Sequence, residues 1–221
     1  MSTASERIAH LVRDGKLSRE EAVGLLDAVQ VSPKRTGWAL ALNPFERIGG
    51  VTALAIGLAL AALSMVSARL GERFNGYLDM HSTTNAVPWT LAAIDQLAAW
   101  IVPSIVMWLV GLAIVRRGRL IDMVGAVGLA RLPYALIGAP LRLLSGPPAE
   151  YHEGVASVFT ARLAAVLVVA IAILVWNGTW QFLAFRNVTG ATGKRLGLGF
   201  LVAFVAAEVA SKLVLVAFGF E

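Results

Sequence analysis

Five stretches of nearly unbroken apolar residues dominate the chain, at 48–68, 96–115, 120–144, 163–185 and 196–220. Each is close to the ~20 residues with which a helix crosses ~30 Å of hydrocarbon. Three of them, 48–68, 96–115 and 163–185, carry no charged residue. In lipid every backbone N–H and C=O has to be satisfied within the structure, so only helices or closed barrels cross it. Barrel strands would alternate apolar and polar positions, and these runs do not. The expected fold class is therefore all-α, a polytopic membrane protein with five transmembrane helices occupying residues 48–221.

The tail, residues 1–30, follows another pattern. Ile8, Leu11 and Val12 recur at helical spacing, as do Ala22, Leu25, Leu26 and Val29. That periodicity predicts helices at 6–13 and 19–29 around a turn at Asp14-Gly15-Lys16. Ser18 followed by Glu21 forms a capping box for the second helix. The two apolar faces can close on each other as a short N-terminal cytoplasmic helical hairpin. Fewer than ~40 residues rarely fold unaided, which points to docking on a cytoplasmic protein; the alternative is a solubilising tail.

Residues 31–47 read as a linker. Pro33, Lys34 and Arg35 precede Trp38, Leu40, Leu42 and Phe45, an apolar strip suited to the headgroup layer of the inner membrane surface. The loop 69–95 mixes breakers with an aromatic (Gly71, Asn75, Gly76, Pro88, Trp89), and predicts a short interfacial helix at 91–100 that merges into the second span. The first apolar run follows a long charged tail, so it is expected to stay as a signal anchor.

Composition agrees: 57% of residues are hydrophobic and 15% charged, with a mean hydropathy of +0.72, against about 25% charged in a soluble domain. A net charge of +5 in a soluble protein would suggest nucleic acid. Here the basic residues lie between apolar runs, where they orient helices, and no nucleic acid is expected. With the tail inside, cytoplasmic segments hold thirteen Lys and Arg: Arg7, Arg13, Lys16, Arg19, Lys34, Arg35, Arg47, Arg116, Arg117, Arg119, Arg186, Lys194 and Arg195. Outer segments hold four, Arg69, Arg73, Arg162 and, at the outer end of the third run, Arg142; the remaining two, Arg131 and Lys212, lie deeper inside spans. This bias predicts a cell (inner) membrane protein with its N-terminus cytoplasmic and, after five crossings, Glu221 outside. The absence of cysteine excludes disulfides, thiolate nucleophiles and cysteine-ligated zinc.

Asn43-Pro44-Phe45-Glu46-Arg47-Ile48, Ala130-Arg131-Leu132-Pro133, and the Trp180 region followed by Thr192-Gly193-Lys194-Arg195 resemble the order of elements in bacterial members of the Yip (Ypt-interacting protein) membrane-domain family. The resemblance runs from about residue 43 to 220. It implies five spans behind a cytoplasmic N-terminal region, and a non-enzymatic role organising partner proteins or lipid.

The residues with most to say chemically are polar ones inside spans, because an unpaired charge there costs at least ~2.5–3.5 kcal/mol. Arg131 lies about 16 Å along the third span and Glu208 about 18 Å along the fifth, at 1.5 Å per residue. Lys212 is one turn beyond Glu208, at the spacing of an intrahelical ion pair. Asn177 and Gln181 share a face of the fourth span. Together Arg131, Asn177, Gln181, Glu208 and Lys212 form an expected intramembrane polar cluster, either a buried network fixing helix register or the lining of a small carrier or channel.

At the cytoplasmic edge, Asp122 begins the third span beside Arg116, Arg117 and Arg119, and Pro133 and Pro140 kink it. Ala53, Gly57 and Ala61 recur every four residues, so a helix of the same chain or of a second copy, in a homo-oligomer, can approach closely. Trp176 and Trp180, one turn apart, would face lipid or pack in the core. Asp79, His81, Glu150, His152 and Glu153 match no metal motif and read as solvated loop residues. No catalytic set, cofactor or metal is expected, since no nucleophile elbow, phosphate loop or zinc motif is present. Membrane lipid is the expected surrounding partner.

Overall fold

The structure, a computed structural model, describes residues 4–31, 42–83, 85–116, 118–137 and 161–218. They fall into two compact units, Met1–Leu42 and Asn43–Glu221.

In the first unit, α1 (Ala4–Arg13) and α2 (Arg19–Val31) pack against each other. Ile8 and Ala22 are buried between them, while Leu11, Val23 and Leu25 stay exposed. The chain reverses at Gly15, whose φ of 68° suits a residue without Cβ. The capping box forms as the sequence predicts. Glu21 N–H donates to Ser18 Oγ (3.2 Å) and Ser18 N–H donates to Glu21 Oε2 (2.9 Å). The Ser18 backbone N–H, and after it the Ser18 hydroxyl, hold the Glu21 carboxyl below its ordinary value of 4.5.

The second unit holds five helices long and apolar enough to cross a membrane. The first span is α3 (Gly50–Ala68). The second runs unbroken from Trp89 to Val115 as α4 (Trp89–Gln96), a π-helical turn (Leu97–Ile101) and α5 (Val102–Val115). The third, Leu120–Ile137, opens with α6 (Leu120–Ala130), and the fourth and fifth are α7 (Ala161–Thr189) and α8 (Gly193–Ala217). The second span thus starts seven residues earlier than its apolar run, and the helix expected at 91–100 merges into it, with Asp95 and Gln96 helical and buried.

The third span is the hub. It packs on the first, second and fourth spans, while the fifth packs chiefly on the second. Accordingly 56% of the third span is buried, against 22% of the fourth and of the fifth. The small-residue face of the first span meets the third span of the same chain. Ala53 is fully buried, and a Cβ on Gly57 would lie 3.1 Å from the Gly128 backbone. A Cβ on Gly125 would come within 2.8 Å of the Leu54 backbone nitrogen, so the two helices touch main chain to main chain.

Two prolines shape the spans. Pro103 offers no N–H to the Ala99 carbonyl, and the π-helical turn ends two residues before it, at Ile101. Pro133 likewise removes a donor from the Leu129 carbonyl, and the third span breaks at Arg131 (φ −82°, ψ 0°) before resuming at 132–137. Pro140 lies outside the described residues.

Two features depart from the sequence reading. Of the linker, 32–41 lies outside the described residues; further on, Phe45 is buried, not laid along a surface. A 3₁₀ turn at Pro44–Glu46, closed by Arg47 N–H to Pro44 O (3.1 Å), points the ring at Trp180, edge to face at 6.1 Å. The loop after the first span forms an antiparallel hairpin, β1 (Glu72–Phe74) with β2 (Met80–Ser82), paired Glu72 to Ser82 and Phe74 to Met80.

Candidate functional site

The hairpin is tied into the bundle by its own backbone. Tyr77 and Leu78, at its tip, donate their N–H groups to Glu208 Oε2 at 3.1 and 3.0 Å, and Tyr77 N–H also reaches Ser211 Oγ at 2.9 Å. Glu208 lies nine residues before the end of α8, about 13 Å along the helix. Irregular backbone survives at such a depth only where protein satisfies its polar groups, and Glu208 does so for two amides at once. Lys212 Nζ stands 3.2 Å from Glu208 Oε1, the i,i+4 pair the spacing predicts.

Side chains of the hairpin complete the anchoring. Phe74 meets Tyr134 edge to face at 5.8 Å, Tyr77 meets Phe204 at 5.6 Å, and Tyr134 Oη donates to Leu78 O at 3.0 Å. Arg73 holds Asp95 with two parallel bonds, Nε to Oδ2 and Nη2 to Oδ1, both 3.0 Å, and Asp95 is 2% exposed. Arg69 Nη1 donates to Val87 O (2.9 Å) and its guanidinium stacks on Trp89. Burial pushes the Tyr77 hydroxyl well above its ordinary value of 10.0; Tyr134 adds to this, Arg131 opposes it and Glu208 adds to it.

Beside the hairpin lies Arg131, at the break in the third span and 5% exposed. Nη1 donates to Gln96 Oε1 at 2.8 Å, and the guanidinium lies 4.5 Å from the centroid of the Phe74 ring. Its Nε and Nη2 have no hydrogen-bond partner, and no carboxylate pairs with it among the described residues. A desolvated cation–π contact contributes about 2 kcal/mol and a charged hydrogen bond about 1.5–3. The penalty for burying a cation is several kcal/mol; these contacts are of the same order, and Nε and Nη2 remain without a partner.

Two carboxamides of the fourth span share the condition. Asn177 and Gln181 are fully buried. Neither amide atom of Asn177 has a partner, nor has Gln181 Oε1; Gln181 Nε2 makes one long bond, 3.5 Å, to Val127 O. Gln181 is thus level with Val127, one turn before Arg131, and Ile173 packs with Tyr134 and Phe74, one turn after it. Asn177 lies midway between Ile173 and Gln181, which on these antiparallel helices puts it at the level of Arg131.

The sequence therefore gathers the right residues but joins them differently. Arg131 and Asn177 share a level of the third and fourth spans, and Gln181 lies one turn away beside Val127. Glu208 and Lys212 pair on the fifth, and no ion pair joins Glu208 to Arg131 among the described residues. The direct Arg131–Glu208 network is replaced by the hairpin, which touches both. Its unpaired N–H groups claim the carboxylate, and Phe74 claims a face of the guanidinium.

Compared with protein-family models, curated proteins and solved structures, the chain matches none.

Sequence reasoning missed Phe74, Tyr77, Asp95, Gln96 and Tyr134. Asp95-Gln96 carried a signal, two adjacent polar residues leading into an uncharged run. Phe74 and Tyr77 carried none, because a strand of three residues has too few positions to show a period and Tyr77 lies in the turn beyond it.

At the other end of the bundle, Asp122 is half-buried in a polar cavity of about 270 Å³ lined also by Phe45, Ile48, Gly50 and Asn187. Arg119 Nε stands 4.0 Å from Asp122 Oδ2. Arg116, in the left-handed conformation (φ 55°), is exposed, and Arg117 lies outside the described residues. Trp180 is buried and meets Trp176 edge to face at 5.6 Å. Asp79 and His81 are exposed; Glu150, His152 and Glu153 lie outside the described residues, among which no three His, Asp or Glu side chains group as metal ligands.

Proposed function

We propose that this is a non-enzymatic multi-pass protein of the cell membrane, tail inside and last residue outside, which holds a small polar solute within its bundle in the manner of a small carrier. The observation that carries the reading is the stratum of unsatisfied polar atoms on Arg131, Asn177 and Gln181. A network meant only to fix register would be expected to satisfy its members, since each bare buried group costs about 1–3 kcal/mol. The latched hairpin beside this stratum supplies a closing element.

Vesicles containing the full chain should admit at least one small polar or ionic solute faster than protein-free vesicles, and Asn177→Leu should abolish the difference. Equal permeation for every solute tried would remove the carrier reading. Orientation is tested separately, since the cysteine-free chain is ready for single-cysteine labelling. Asn85→Cys should react from outside in intact cells, and Lys194→Cys only after permeabilisation.

A second reading is a Yip-like organiser of partner proteins or lipid, with residues 1–30 as its handle. It is favoured by the exposed apolar side chains of Leu11, Val23 and Leu25 on the hairpin. Deleting residues 1–30 should then abolish partner capture while sparing insertion.

A further inference from the structure

The orientation of Arg131 gives the proposed solute site a chemical class, one that rests on the carrier reading. Arg131 uses Nη1 for Gln96 and one ring face of its guanidinium for Phe74. What remains bare is the edge formed by Nε and Nη2. That edge carries two parallel N–H bonds and matches the two oxygens of a carboxylate. The same protein shows the match a short distance along the hairpin, where Arg73 holds Asp95 through the same two nitrogens at 3.0 Å each. Arg131 presents an identical fork with no protein carboxylate on it among the described residues.

We infer that Arg131 binds a small planar oxyanion, a carboxylate of the formate or acetate kind, with the Nε–Nη2 edge engaging two of its oxygens, Asn177 at the same level of the facing helix and Gln181 one turn away. Charge favours an anion, since among the described residues the guanidinium has only the neutral Gln96 and an aromatic ring to offset it. Shape selects a planar two-oxygen anion over a spherical one, because both bare donors point along one edge. The amide nitrogen of Asn177, which also has no acceptor, provides a further donor at this level. Phe74, which covers one face of the guanidinium, belongs to an apolar cluster with Ala99, Tyr134 and Ile173, a neighbourhood that disfavours multiply charged species. Glu208 and Lys212 are not part of this site; their charges already pair and hold the hairpin.

The test uses the full chain in detergent micelles, with sodium formate and acetate titrated against sodium chloride at constant ionic strength. Binding is read from the melting temperature and from line broadening of ¹³C-formate. Formate and acetate should raise Tm where chloride does not. Arg131→Lys keeps the charge but lacks the fork, and should weaken formate at least about tenfold while leaving chloride unaffected. Should that variant fail to fold, Asn177→Leu keeps Arg131 and decides the matter. It should melt higher than the parent without ligand, since two bare polar atoms are removed, and bind formate more weakly.

Equal responses to formate and chloride, or equal formate affinity in Asn177→Leu, would overturn the oxyanion assignment. If vesicles still admit a neutral polar solute in an Asn177-dependent way, the solute reading survives that result. If they admit none, both fall.

Discussion

The backbone N–H of Tyr77 donates to Glu208 Oε2 at 3.1 Å, joining a hairpin tip after the first span to the middle of the last. This bond and its neighbour from Leu78 make the carboxylate a structural latch. The ionic partner of Glu208 is Lys212, on its own helix, so neutralising the carboxylate leaves a partly exposed lysine and two weakened amide bonds.

Glu208→Gln should therefore loosen the hairpin without dismantling the bundle. The loss of charge-assisted bonding is worth roughly 1–3 kcal/mol. Hydrogen exchange at the Tyr77 and Leu78 amides should accelerate by about fivefold to about a hundredfold, since 1.4 kcal/mol is one decade, while amides of α6 change little. Unaltered exchange at these two positions would show that the latch carries no weight.

Asp95→Asn should cost more. Asp95 is 2% exposed and Arg73 grips it through two bonds, so removing its charge breaks a buried, charge-assisted pair. About 3 kcal/mol or more is the expected loss, read as a drop in melting temperature of the purified chain. A parental Tm would contradict the pair's structural role.

Glycines of the spans separate into two kinds. A Cβ on Gly125 would meet the Leu54 backbone nitrogen at 2.8 Å, and backbone cannot step aside as a side chain can. Gly125→Ala should destabilise by about 1–3 kcal/mol through overpacking. A Cβ on Gly178 meets nothing within 4 Å, so Gly178→Ala should be neutral or stabilise by up to about 1 kcal/mol of helix propensity. A larger loss at Gly178 than at Gly125 would refute the packing of the first and third spans.

The tail offers a pH prediction. The Glu21 carboxyl is held below 4.5 by the Ser18 N–H and hydroxyl, so its ionised form favours the folded start of α2. For a lowered carboxyl the stabilisation is present above the unfolded value and disappears as pH falls through the folded one. Carbon NMR of the full chain should place the Glu21 titration below 4.5, and Ser18→Ala should move it upward. Identical midpoints in the two chains would sink the capping box.

How far the sequence could be read differs from residue to residue. Ser18 and Glu21 were legible because a capping box is a contact across three residues. Glu208 and Lys212 were legible for the same reason, being one turn apart on a single helix. The partner of Arg131 was not. Gln96 is 35 positions away and Phe74 57, on segments whose own patterns say nothing of where they fold back.

Hydrophobic runs by themselves determined the five crossing helices, because in lipid each long apolar segment has to satisfy its own backbone and does so locally as a helix. Which faces meet, and what the buried charges touch, only the tertiary structure decided. Those outcomes depend on backbone contact between Gly125 and the first span, on a break before Pro133, and on a short hairpin whose amides take Glu208 away from Arg131. Each is a contact between segments distant in the chain, settled by which polar groups can be satisfied at the same depth.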